Sequence, residues 1–413
     1  MPTIKPFKAL MYNPAKFRDL SKVLAPPYDV ISPKDQEDLY RRSPRNITRI
    51  ILGKTKPGDS SRDNKYTRAL RSFRNWIKEG VLVSDRRSPA IYVCTQECGG
   101  EKRTGFVAAL RVEEYGRGIF PHEDTFLSHR VDRLSLLRLC RANFNPIFFL
   151  YSPGSSALEK IFKKTVARQP LESLEFQGVK SRVWRVADPG SVSVFVREMK
   201  KKKVFIADGH HRYDVALKYS REAKGAGYTM GLFVSMEDKG LKILPTHRAI
   251  KTAVRLSSPE FLKLVNRYFR VTRFGSPGRM IACLKPGFYG FGMYAGGNIF
   301  ELLEARDIRQ VERLFHGDVP PCWRRLNMVI LHHFFLHNIL KLGEVPGENI
   351  KYVTDEAEAK KLVDTGGYSA VFFLNSIKPE TVREIALSGE KMPHKATYFY
   401  PKPLSGLIIY KFP

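Results

Sequence analysis

The chain has 413 residues, long enough for two or three domains with a real core, and its 43% hydrophobic and 12% aromatic content is that of a soluble globular protein. No apolar run approaches a membrane span, the stretch Met1 to Pro6 lacks a signal-peptide core, and five scattered cysteines argue against a disulfide framework, so a cytoplasmic location is expected. The formal net charge of +29 permits nucleic-acid binding or attraction to anionic substrates, but the basic residues are dispersed, with one dense run at Lys200 to Lys203.

Residues 1–90 form a first expected region, an N-terminal α/β stretch. In Leu24-Ala25-Pro26-Pro27-Tyr28-Asp29-Val30-Ile31-Ser32, two prolines enforce an extended segment, and Ser32-Pro33 with Asp35 suits a helix start. Ile47 to Leu52 predicts a strand. The Gly53-Lys54-Thr55 that follows is not a P-loop, because position 48, where the motif needs glycine, is Thr. Apolar residues at 66, 69, 70, 73, 76 and 77 predict an amphipathic helix over Tyr66 to Glu79, ended by Gly80.

Residues 91–250 form the second region. Strands are expected at Ala90 to Thr95 and Gly105 to Val112, joined by a hairpin turn at Gly99-Gly100. Phe120-Pro121-His122-Glu123-Asp124-Thr125 precedes a helix over Val131 to Ala142, and Pro146 to Tyr151 reads as a buried strand. Then comes Val204-Phe205-Ile206-Ala207-Asp208-Gly209-His210-His211-Arg212-Tyr213. Four apolar residues make a short strand, Asp208-Gly209 breaks it, and Tyr213 to Tyr219 reads as a helix. Asp208, His210, His211 and Arg212 therefore sit on a strand-to-helix elbow. A helix N-terminus offers backbone N–H groups and a positive dipole end, a natural phosphate site to which Arg212 can add a bidentate clamp. Beside a phosphate, Asp208 makes sense as a metal ligand, a proton acceptor or a partner for a cation. The plainer alternative is a capping Asp with surface histidines. A further strand is expected at Tyr228 to Met236, and Pro245-Thr246-His247-Arg248 follows the polar turn Glu237 to Gly240.

Residues 251–413 alternate strands and helices, with Pro and Gly clusters at 276–278 and 285–292. Met328 to Leu342 is apolar and helical. It carries His332, His333 and His337; the His333–His337 spacing suits one helix face, but without a third ligand these read as packed or solvated rings. The tail Met392 to Lys402 mixes Lys, Thr and aromatics.

Several of these stretches together resemble the prokaryotic family labelled "domain of unknown function one-thousand-and-fifteen". They are Ala25 to Ile31, Asp63 to Arg68, Pro121 to Thr125, Asp132-Arg133-Leu134, Asn145 to Phe148, Asp208 to Tyr213, Pro245 to Arg248 and Met392 to Pro401, with Ala396 where a serine is usual. More remotely, the order His122-Glu123, Arg133-Leu134 and Asp208-Gly209-His210-His211-Arg212 resembles that of the free-serine kinases of the ParB/sulfiredoxin-like superfamily. An insertion between about 150 and 200 accounts for the longer interval from Glu123 to Asp208. The resemblance implies an α+β protein with a ParB/sulfiredoxin-like central catalytic domain and mixed-sheet flanking regions. It implies a kinase that uses ATP or ADP with Mg2+ to phosphorylate free L-serine.

In that reading Glu123, flanked by His122 and Thr125 on the substrate side, is the base for the hydroxyl proton; the plainer alternative is a capping or surface-paired Glu before a helix. Gly209, His210, His211 and Arg212 hold nucleotide phosphates, and Asp208 orients the acceptor or helps hold Mg2+. His247 and Arg248 contact a substrate carboxylate or form a structural ion pair; Lys395 and Lys402 reach a phosphate or merely solvate the surface; Pro26, Pro27 and Tyr28 shape a pocket wall. The expected partners are nucleotide and small-molecule substrate, with no membrane and with a homodimer entertained. The alternative is a ParB-like nucleotide- or nucleic-acid-binding protein without turnover. No helix-turn-helix with clustered basic residues is evident, which disfavours specific nucleic-acid binding.

Overall fold

The computed structural model describes every residue except Phe126, Pro286, Leu314, 316–318 and 343–348, together with the side chain of Ser128. One residue of the expected Pro/Gly cluster, Pro286, thus lies outside the described residues. Cα proximity divides the chain into two compact units. Residues 1–121, 125–242 and 401–413 form the first; residues 122–124 and 243–400 form the second. The boundaries expected near 90 and 250 follow the order of elements and motifs along the sequence, a different criterion. Among the described residues no helix is long and apolar enough to cross a membrane.

The first unit is built on a nine-stranded mixed sheet. Its strands are β1 (Ile4–Lys5), β2 (Ile91–Cys98), β3 (Glu101–Arg111), β4 (Ile119–Phe120), β5 (Ile147–Ser152), β6 (Glu172–Phe176), β7 (Val179–Val186), β8 (Lys203–Asp208) and β9 (Tyr228–Ser235). The order is β4-β8-β5-β9-β3-β2-β7-β6, with β1 added along β3. Strand β8 runs parallel to β4 and antiparallel to β5, which in turn runs parallel to β9. The hairpin expected around Gly99-Gly100 joins β2 and β3. The segment read as an insertion supplies the edge strand β6 and its neighbour β7, which pairs with β2. The core is aromatic: Phe149 and Phe106 both stack on Phe233, with centroids 5.2 and 5.1 Å apart. Gly231 makes room for this, since a Cβ there would sit 2.8 Å from the Phe149 ring.

Helices of this unit are α1 (Pro33–Arg42), α2 (Thr48–Ile51), α3 (Lys65–Lys78), α4 (Leu127–Cys140), α5 (Ser156–Val166), α6 (Pro189–Lys200) and α7 (His210–Glu222). Ser32 and Asp35 cap α1 reciprocally, as expected, and Asn64 and Thr67 do the same for α3. The strand expected at Ile47 to Leu52 is instead the short helix α2. Ile47, Ile50 and Ile51 are all buried in one core with Ala69, Phe73 and Trp76 of α3, a helical spacing that propensity alone does not reveal. Asn46 fixes the turn, donating to the Lys22 and Leu24 carbonyls and accepting from the Thr48 N–H.

The second unit holds a six-stranded antiparallel sheet: β10 (His247–Ile250), β11 (Phe269–Phe274), β12 (Gly290–Tyr294), β13 (Phe300–Ala305), β14 (Ile350–Val353) and β15 (Ala370–Phe373), in the order β11-β13-β12-β15-β10-β14. The apolar segment expected as one helix from Met328 to Leu342 is helical but changes type: Asn327–Val329 is α and Ile330–Ile339 is π. Its end shows the wider spacing directly, with the Leu340 N–H donating to the Phe335 carbonyl at 2.9 Å.

Candidate functional site

In the first unit the elbow begins with an irregularity: the β8–β5 register shifts between Ile206 and Asp208, so that Asp208 faces Phe148. Such a bulge re-aims the residue that follows it. Gly209 then adopts φ 100° and ψ 31°, a left-handed conformation that few other residues take without strain. The Arg212 guanidinium lies against it, so an added Cβ would come within 2.7 Å of that group. Helix α7 begins at His210, earlier than expected, which puts His210, His211 and Arg212 in its first turn. Gly209 at its N-cap has no side chain to cap it, and an internal bond of the first turn runs from the Tyr213 N–H to the Gly209 carbonyl at 3.0 Å.

Asp208 is 7% exposed. One carboxylate oxygen accepts from Arg212 at 2.5 Å, and the other accepts from Lys402, which the closing segment of the chain brings back to this unit. Arg212 also donates to the Asn145 side chain and to the Pro146 carbonyl at 2.6 Å. The elbow thus has two cations about one carboxylate, a surplus of positive charge beside a helix N-terminus. Further along α7, Asp214 accepts from the Thr125 hydroxyl at 2.6 Å and from Tyr115 at 2.5 Å. Burial, then Asp214 itself, pushes the Tyr115 hydroxyl up, so it remains a donor.

The N-terminal stretches meet this region through rings and ion pairs. His211 packs on His129 at 5.0 Å, His129 contacts Tyr28 at 6.3 Å, and Arg133 lies 3.9 Å over the Tyr28 ring. Asp132 accepts from Lys65 at 2.6 Å and Tyr66 at 2.8 Å and pairs with Arg133. Burial alone would raise the Asp132 carboxyl; Arg133, Lys65 and Tyr66 reverse this and hold it at about 2.

In the second unit His122 is fully buried, its Nε2 2.9 Å from the Thr397 hydroxyl and its carbonyl accepting from the Met392 N–H at 2.8 Å. Glu123 accepts the Lys395 backbone N–H at 3.1 Å. Lys395 itself has φ 56°, and its carbonyl accepts from Arg248 at 3.2 Å. So the backbone of Lys395 joins Glu123 to Arg248. Arg248 is fully buried, donates also to the Thr246 carbonyl and, through Nε, to His332 Nε2 at 3.1 Å, and lies 5.4 Å from the Tyr352 ring. Among the described residues no carboxylate lies within ion-pairing distance of it. Burial lowers Arg248 to about 10, although Tyr352 and Glu123 pull the other way. His247 accepts the Leu374 N–H on Nδ1 at 3.2 Å, and burial depresses it to about 4, so the ring is neutral.

The expected site residues therefore fall into two groups. Asp208 to Arg212, Thr125 and Lys402 belong to the first unit; His122, Glu123, His247, Arg248 and Lys395 belong to the second. Sequence reasoning missed Asn145, Asp214, His332 and Tyr352. Among the described residues no group of three His, Cys, Asp or Glu side chains is placed to hold a metal ion.

A family profile described as "Protein of unknown function (DUF1015)" matches residues 4–329, and the chain belongs to that family. No curated protein matches it. Among solved structures, a conserved hypothetical protein from Pyrococcus furiosus is similar at 15% identity and TM-score 0.35, over 69% of this chain and 90% of that one. A free serine kinase in complex with AMP is similar at 13% identity and TM-score 0.37, over 70% and 88%. SbnI with a C-terminal truncation, from Staphylococcus aureus, is similar at 8% identity and TM-score 0.37, over 73% and 86%. Likeness at these scores is too loose to define a shared fold.

Proposed function

We propose that the protein is a nucleotide-dependent kinase that phosphorylates the hydroxyl of free L-serine, on a ParB/sulfiredoxin-like central domain. The observation that carries this reading is the elbow: a bulged strand end, a left-handed Gly209, and an uncapped helix start with surplus positive charge. The order of His122-Glu123, Arg133-Leu134 and Asp208 to Arg212, which resembles that of free-serine kinases, adds the reaction type.

In this mechanism the first turn of α7, with His210, His211 and Arg212, holds the nucleotide phosphates. Glu123 accepts the proton of the serine hydroxyl as its oxygen attacks the terminal phosphorus. The bond from that phosphorus to the bridging oxygen breaks, releasing ADP from ATP or AMP from ADP. The Lys395 N–H, donating to one Glu123 oxygen, helps fix the carboxylate in place. Mg2+ would be held chiefly by the nucleotide phosphates, with Asp208 as its protein neighbour, and would neutralise charge on the transferring group. His122 and Thr125 would line the substrate side, and His247, Arg248 and Lys395 would support it. The test is to incubate the full chain with Mg2+, L-serine and either ATP or ADP. O-phosphoserine, identified by mass spectrometry and phosphorus NMR, is the expected product. Its absence with both nucleotides overturns the reading.

A further inference from the structure

Helices α5 and α6 of the first unit both lie in the stretch read as an insertion, and the proposed phosphoryl transfer uses neither. They bury Leu158 and Phe162 of α5 with Phe195 and Met199 of α6 in one core, the Phe162 and Phe195 rings 5.9 Å apart. The two helices run antiparallel. The Ser155 hydroxyl at the start of α5 donates to Glu198 near the end of α6 at 2.9 Å. Asp188, the N-cap of α6, is held below the usual carboxylate range by Ser191 and then by the charge of Lys164, at the end of α5.

A turn of about 100° per residue identifies the positions opposite those buried side chains. On α5 they are Ser156, Lys160, Lys163 and Lys164; on α6 and its C-cap they are Gly190, Ser193, Arg197, Lys200 and Lys201, all exposed. Both outer faces thus hold bases and small residues and no acid. Basic last turns complement the helix dipoles, but dipoles do not clear two whole faces of acids. Glu159 and Glu198 stand on the flanks. Glu198 takes the Ser155 hydroxyl and lies 3.8 Å from Arg197 and 3.9 Å from Lys201, one carboxylate between two bases. The fold also divides the run Lys200 to Lys203: Lys202 turns inward and donates to the Gly154 carbonyl at 3.0 Å, while Lys200 and Lys201 stay on the face.

Bases without acids on one face attract a polyanion. The rest of the face selects which one. Neither helix exposes a large apolar side chain, the anchor that a protein interface or a membrane-lying helix needs. Phe162 and Phe195 are buried, so no ring stands ready to stack on unpaired bases. Lysines dominate, point charges suited to phosphate oxygens, and Ser156, Gly190 and Ser193 leave room for a backbone to come close. We propose that the α5–α6 face binds the phosphate backbone of a nucleic-acid duplex, whatever its sequence. Basic residues that look dispersed along the chain are gathered here by the packing of two helices. The binding does not rest on the kinase reading.

Fluorescence anisotropy of the full chain with labelled duplexes of DNA and of RNA, each in unrelated sequences, tests this. Binding to DNA, to RNA or to both supports it. Affinity should not follow sequence, and log Kd should rise with log salt at a slope of about 4–5, as for roughly four to six phosphates neutralised. The triple variant Lys160→Gln, Lys163→Gln, Lys164→Gln should bind at least about tenfold more weakly at about 100 mM salt, with the slope lowered by about 2–3. All three side chains are exposed, so the melting temperature should hold. If that chain fails to fold, Lys200→Gln with Lys201→Gln probes the same face, with the slope lowered by about 1–2. Taking the same charge from exposed bases of the second unit, through Lys263→Gln, Arg267→Gln and Arg270→Gln, should change affinity less than about threefold. Equal losses in the two triple variants would leave net charge alone as the attraction and overturn the proposal. So would no duplex binding at about 50 mM salt, a preference above about tenfold for one sequence, or tighter binding to phosphatidylserine vesicles than to either duplex.

Discussion

Two enclosed cations, the half-buried Arg212 of the first unit and the fully buried Arg248 of the second, are treated differently. Arg212 meets the Asp208 carboxylate and shares it with Lys402; Arg248 meets two carbonyls, an imidazole nitrogen and a phenol ring. In the first case the protein completes the electrostatics and the remaining positive charge belongs to a helix end. In the second the direct contacts are neutral dipoles, and the Glu123 carboxylate acts on the guanidinium without pairing directly with it. A cation paired directly holds a loop in shape; a cation held by dipoles joins the segments that supply them.

The largest expected effect concerns the carboxylate of the second unit. Glu123→Gln keeps a side-chain oxygen for the Lys395 N–H but removes the base, so kcat for phosphoserine formation should fall by about 10²–10⁴ with little change in melting temperature. A variant that turns over normally would remove Glu123 from the mechanism. Next comes Arg212→Ala. Because the guanidinium is enclosed by Asp208, Asn145 and Pro146, its loss removes one of the two cations described on the buried Asp208 carboxylate, leaves Lys402, and should cost about 2–4 kcal/mol in denaturant unfolding. Nucleotide affinity should fall with it. A fully stable Arg212→Ala protein would mean that Lys402 alone satisfies Asp208.

Acid should expose the neutral rings of the second unit. His247 is held at about 4, below the ordinary 6.5, so between those values the unfolded chain takes up a proton that the folded one refuses. Stability is therefore complete above pH 6.5 and falls as the pH drops towards 4, by on the order of 3 kcal/mol. A His247→Gln chain should lose most of that slope; an unchanged slope would place the acid-sensitive group elsewhere. The smallest effect belongs to Arg248→Met. No carboxylate is orphaned, only carbonyl and ring acceptors, so about 1–3 kcal/mol is expected, less than for Arg212→Ala in the same assay. Equal losses would erase the distinction between the two cations.

Much of the first unit's architecture was legible because its signals are local. Ser32 and Asn64 announce helices by capping, Gly99-Gly100 announces a hairpin, and Asp208-Gly209 announces the elbow. Ile47 to Leu52 was misread because its burial is decided by α3, not by its own run of residues. The elbow's residues could be named from sequence, but not their partners: Asn145 lies 67 residues from Arg212 and Lys402 lies 194 from Asp208. The second unit hid its chemistry more completely. His332 read as a packed ring, and nothing in the sequence links it to Arg248, 84 positions away. Tyr352 carries no motif at all; that its buried hydroxyl has no partner among the described residues becomes visible only when its neighbours are in place.

The return of residues 401–413 to the first unit has a consequence for how the protein is made. The Pro401 carbonyl accepts from the buried Arg103, the Pro403 carbonyl accepts from Asn145, and Ile409 and Tyr410 join Leu10 and Asn143. A ribosome that has finished the nine strands must still synthesise the whole of 243–400 before Lys402 can reach Asp208. At about 5–20 residues per second that is a wait of roughly 8–30 seconds with the elbow carboxylate half-paired. The nascent first unit would therefore spend this interval as a chaperone client, and a messenger broken just before codon 401 would yield a chain that can never close its own elbow.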